Sequence, residues 1–97
     1  MAILIHAVLP GVTTEQYDAF SAKLQEVPGI FRGCLSHTCV STDGGLEVFD
    51  LWESEADMDR FGERMTPIAQ SMGFAQDAGR PKVLRVHRYM LPGAGTQ

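Results

Sequence analysis

An α+β fold with four strands and two helices, in the order βαββαβ, is predicted for this sequence by three observations. Four short segments are dense in β-branched and aromatic residues and are bounded by Gly, Pro or Asp-Gly signals. Two longer segments repeat apolar residues at intervals of three and four, the period of a helix face. Only the middle two strands are close enough to be joined by a hairpin turn. The 97 residues make one domain, expected over 1–92, with 93–97 as a flexible C-terminal tail.

The elements follow in order along the chain. AILIHAVL, residues 2–9, reads as a strand stopped by Pro10-Gly11. Thr13 and Gln16 fit a capping box, which opens a helix whose apolar face is Tyr17, Phe20, Leu24 and Val27; Pro28-Gly29 ends it. CLSHTCVS, residues 34–41, is a second, more polar strand. Thr42-Asp43-Gly44-Gly45 is a hairpin turn, and Leu46 to Trp52 is the third strand. Ser54 caps a second helix, with Glu55 and Asp57 at its positive end and a stripe of Met58, Phe61, Met65, Ile68 and Met72. Pro67 is expected to kink or restart this helix, and Gly73 to stop it. KVLRVHRYM, residues 82–90, reads as a fourth strand.

This order is the split βαβ, or ferredoxin-like, arrangement: a four-stranded antiparallel sheet ordered 4-1-3-2 with both helices on one face. The strands are apolar on both sides, Ile3 and Ile5 against Leu4 and Val8, Val48 against Phe49 and Leu51. An uncovered apolar face calls for a partner, most simply a second copy packed sheet to sheet. The expected assembly is therefore a homodimer.

Bulk composition narrows the partners. A formal charge of −4 argues against nucleic acid or an anionic membrane surface, both of which reward a basic excess. No apolar run is long enough to cross a bilayer, and MAILIHAVLPG lacks the basic start and cleavage site of a signal peptide. Cys34 and Cys39, five apart in one strand, are expected on opposite faces and unbridged. Two free thiols suit the cytoplasm. The two Cys and three His lack metal-ligand spacing, so no metal and no cofactor are expected.

PG-V-T-x-E-Q-Y at 10–17, His37 in the second strand, V-F-D-L-W-E-S at 48–54 and R-V-H-R-Y at 85–89 together resemble the dimeric α+β barrel proteins. The likeness covers residues 2–90 and is strongest to small actinobacterial members of the antibiotic biosynthesis monooxygenase group. The resemblance implies a homodimer with a ligand pocket in each subunit between sheet and helices. It also implies a cofactor-independent enzyme acting on a hydrophobic aromatic or polyketide-like small molecule, by oxygenation or cyclisation. Other members of this fold only bind small ligands or have no assigned activity. The quinone-forming members pair a tryptophan at the place of Trp52 with an asparagine four residues earlier; that place holds Val48. The haem-degrading members use a histidine on the second helix and an asparagine on the first strand; this second helix has no histidine, and the strand carries His6.

Alternation places Val48, Asp50 and Trp52 on one face of the third strand. A carboxylate facing an apolar pocket is desolvated and suited to act as a general base near neutral pH. The alternative for Asp50 is an ion pair with Arg85 or Arg88, or a contact at the dimer face. Trp52 either walls an aromatic ligand or is a core residue at the strand-to-helix junction. His37 and His87, at positions where the small relatives carry histidine, are candidate bases or proton shuttles beside Asp50; each is equally readable as a satisfied sheet or interface histidine. Strand order keeps His37 away from His6 and His87, which argues against a three-histidine metal site. Tyr89 shares parity with Arg85 and His87 and can orient a substrate carbonyl. Met58, Phe61, Met65 and Phe20 either form core or make an adaptable pocket wall for a flat ligand.

Overall fold

In the computed structural model, which describes residues 1–74 and 81–93, the order is β1 (Ile3–Pro10), α1 (Thr14–Gln25), β2 (Cys34–Thr42), β3 (Gly45–Trp52), α2 (Glu55–Ser71) and β4 (Lys82–Arg85). The sheet is antiparallel and ordered β2-β3-β1-β4, the ferredoxin-like arrangement. Residues of both helices face the same side of the sheet as Ile5, Ala7, Val48 and Asp50.

The local signals act where the sequence puts them. Thr13 accepts from the Gln16 amide at 3.1 Å while the Gln16 side chain accepts from the Thr13 amide at 2.9 Å, so two orphan donors of α1 are satisfied reciprocally. Ser54 Oγ accepts from the Asp57 amide at 3.1 Å at the start of α2. At the other end Gly73 takes φ +80°, its N–H reaches the Gln70 carbonyl and that of Phe74 the Ala69 carbonyl, a Schellman stop. Pro67 lies inside α2 without ending it. In the hairpin, Gly45 combines φ +138° with an approach to Leu9 so close that a Cβ would lie 2.5 Å from the Leu9 carbonyl oxygen.

Two expectations are corrected. The fourth strand is not 82–90 but stops at Arg85. Its neighbour β1 begins at Ile3, opposite Arg85, and one more bond, from the Val86 N–H to the Ala2 carbonyl, closes the ladder. Among the described residues, 86–90 then have no strand to pair with. The second correction concerns the cysteines: an irregularity in register between Cys34 and Ser36 aligns Cys34 with Trp52 and Cys39 with Val48. Cross-strand partners share a face, so both thiols lie on the helix side of the sheet. They remain free, held apart along the strand.

Packing under the helices is uneven. Ile3, Ile5 and Trp52 form a closed cluster with Cys34, Met58 and Phe61 against it. Trp52 is the most completely buried large side chain, 1% exposed. By contrast α2 has no fully buried residue and α1 only Leu24. The helices thus enclose space rather than fill it. On the opposite face Leu84, Leu4 and Leu51 align across three strands, and Val8, Val40 and Leu84 are exposed. No helix among the described residues is long and apolar enough to cross a membrane.

Candidate functional site

The space between helices and sheet is a cavity of about 440 Å³. Its walls are apolar: Ile5, Leu9 and Val48 from the sheet, Phe20 and Leu24 from α1, and Phe61 and Met65 from α2. Aromatic contacts stiffen the lining. Phe61 packs against Trp52 and Phe31 with ring centroids 5.0 and 5.6 Å apart, and Phe20 meets Phe74 edge-on at 4.9 Å.

Among the described residues three ionisable side chains line this cavity, Tyr17, His37 and Asp50, and they form one hydrogen-bonded chain. The hairpin creates the first link. Five residues back from Thr42 and five forward from Gly45, His37 and Asp50 stand directly opposite each other on the helix-facing side. His37 Nδ1 bonds the Asp50 carboxylate, and Tyr17 Oη, reaching down from the first turn of α1, bonds His37 Nε2. An ionised carboxylate only accepts, so Asp50 fixes the ring proton on Nδ1. In the neutral ring Nε2 is then left to accept from the Tyr17 hydroxyl.

The electrostatics follow from this geometry. The hydrogen bond to Asp50 holds the His37 pKa above its ordinary 6.5; partial burial opposes this, and the Coulombic pull of the same carboxylate adds to it. Tyr17 is pushed up to about 12, first by burial and then by Cys39, Asp50 and Asp18, so it stays a phenol at neutral pH. Burial, then Asp50, raises Cys34 to about 11, against a smaller opposing effect of the Ser36 backbone. Burial and Asp18 likewise raise Cys39. Protonated thiols are poor nucleophiles.

Asp50 is 7% exposed and is bonded by His37, the edge-strand histidine, rather than by an arginine of β4. Arg85 stands opposite Ile3. Trp52 is first a core residue, with part of its surface forming the cavity wall beside Met58 and Phe61. Phe20 and Met65 also line the space. His87 and Tyr89 lie beyond the end of β4 on exposed chain and do not reach the cavity. His6 points to the other face of the sheet, stacks on Phe49 at 4.6 Å and bonds Glu47 at 2.7 Å. Sequence reasoning missed Tyr17 and Phe31 as site residues. For Tyr17 a signal existed: a phenol on an otherwise apolar helix face needs a polar partner when it is buried.

Set against protein-family models, curated proteins and solved structures, the chain finds no match in any of the three.

Proposed function

We propose that the cavity takes a hydrophobic aromatic or polyketide-like small molecule, and that the Tyr17–His37–Asp50 chain removes a proton from it without a cofactor. One observation carries this reading: among the described residues, the ionisable side chains lining a mostly apolar space belong to a single connected chain ending in a buried carboxylate. A volume of about 440 Å³ is within the usual range for small-molecule sites. An apolar wall with one proton-accepting corner suits a substrate whose acidity comes from a phenol or from a carbon between carbonyls. Its anion has two outlets. It can close a ring by aldol addition, or react with dioxygen, one oxygen atom entering the carbon and the other leaving as water. Both are chemistries of the antibiotic biosynthesis monooxygenase-like group that the sequence resembles.

Trp52 fluorescence during titration with anthrone and with naphthoquinone tests binding; saturable quenching is expected, and no change with either would remove the ligand reading. Oxygen uptake and product formation from anthrone are then compared between the parent and Asp50→Asn. Loss in the variant supports catalysis; binding with no turnover in either protein leaves a ligand-binding module.

The same reading includes a homodimer. Leu4, Leu51 and Leu84 form an aligned apolar row on the helix-free face, and Val8 and Val40 beside it are exposed by 45% and 37%. Leu51 is already buried at 6% exposed, and a second copy packed there would cover Leu84, Val8 and Val40. Sedimentation is expected to give a dimer, and Leu84→Glu to give a monomer. The protonated, unbridged thiols suit a reducing cytoplasm.

A further inference from the structure

We propose that Tyr17 is the substrate-facing end of the chain: its hydroxyl exchanges the proton with the ligand, and the charge on His37 decides whether that hydroxyl accepts or donates. The inference rests on the functional reading above and names the ligand class within it, a flat apolar molecule with one phenolic or enolic hydroxyl.

It follows from occupancy. Both imidazole nitrogens of His37 are already engaged, Nδ1 by Asp50 and Nε2 by Tyr17. A ligand in the cavity therefore meets the phenolic oxygen, which keeps lone pairs free, before it meets the ring. With His37 neutral, the Tyr17 proton is committed to Nε2, and the oxygen can accept from a ligand hydroxyl. Transfer is then balanced: the ligand O–H proton passes to Tyr17 Oη as the Tyr17 proton passes to Nε2. The products are a ligand anion and an imidazolium held by the Asp50 carboxylate. Burial makes a free Tyr17 phenolate unfavourable, so the two transfers go together. With His37 already cationic, Nε2–H donates to Tyr17, whose own O–H turns to the ligand and suits a carbonyl.

Among the described residues, the titratable groups around the pair are Asp50 on β3, Tyr17 and Asp18 on α1, and Cys34 and Cys39 on β2. From α2 the cavity receives Met58, Phe61 and Met65, none of which titrates.

Calorimetry with 2-naphthol, 2-methoxynaphthalene and 2-acetonaphthone tests the proposal. Above the His37 titration the parent is expected to prefer the naphthol to its methyl ether about fivefold, one net hydrogen bond. Below it the ketone gains and the naphthol preference shrinks. Because Tyr17→Phe would free His37 Nε2 for the ligand, the phenol is read in the parent, by the Cζ resonance of carbon-13-labelled tyrosine: the naphthol is expected to shift the Tyr17 signal further than its methyl ether does. An equal Tyr17 shift for the two would mean that the ligand reaches His37 directly, and the proposal fails while the functional reading stands. Equal affinities in the parent also overturn it. If none of the three binds the parent, the proposal and the functional reading fall together.

Discussion

The sheet carries two histidine–carboxylate pairs, one on each face, and they differ in everything but composition. His6 and Glu47 sit diagonally on the helix-free face, 26% and 29% exposed, with the imidazole stacked on Phe49. His37 and Asp50 sit directly opposite each other under the helices, where the His37 side chain is 36% exposed, the Asp50 side chain only 10%, and Tyr17 adds a third link. A strand's alternation alone decides which side each pair serves. The outer pair gives a polar spot on an apolar face. The inner pair gives a mostly apolar cavity its ionisable corner. Under the function proposed above, the same two functional groups acquire chemistry only where a carboxylate is desolvated next to enclosed space.

That contrast can be broken by exchanging the two carboxylates for amides. Turnover of an acidic aromatic substrate is expected to fall about 10²- to 10⁴-fold in Asp50→Asn, the usual worth of a positioned acid–base group. It should be unchanged in Glu47→Gln. Steady-state rates on anthrone compare them, and equal losses would erase the distinction between the faces.

Stability should separate the pairs by less. Asp50→Ala removes a buried hydrogen-bonded carboxylate and is expected to cost about 2 kcal/mol. Glu47→Ala loses a part-exposed pair, about 0.5 kcal/mol. Urea midpoints at constant m-value measure both.

The smallest effect is in the pH dependence. Because the folded-state pKa of His37 is raised, its pairing with Asp50 contributes fully below the unfolded value of about 6.5 and is lost as pH rises through the folded-state value. The stability difference between the parent and Asp50→Asn should therefore narrow from pH 6 to pH 9. A difference that widens over that window contradicts the assignment.

Much of this was legible in the residues. The order of strands and helices, the Thr13 capping box and the Gly73 stop depend on local signals within a few positions of each other, which a sequence displays directly; the 4-1-3-2 sheet followed from that order only through the split βαβ arrangement. Asp50's orientation followed from alternation in β3. Its partner required register, and the hairpin fixes register only when both strands are counted back from the same turn. The irregularity at Cys34 and Ser36 reversed the expected face of one cysteine, since one extra residue inverts parity and leaves no mark in composition. The length of β4 depended on where β1 begins, a tertiary fact invisible in KVLRVHRYM itself. Tyr17 was hidden because its ring satisfies a helix's apolar period as well as phenylalanine would.

The central claim is that Asp50 holds and charges His37 at the polar end of the cavity. An NMR titration of the His37 imidazole, in the parent and in Asp50→Asn, tests it most directly. The account predicts a midpoint above 6.5 in the parent that drops in the variant, while the His6 resonances keep their course. A His37 midpoint that is the same in both proteins would contradict it.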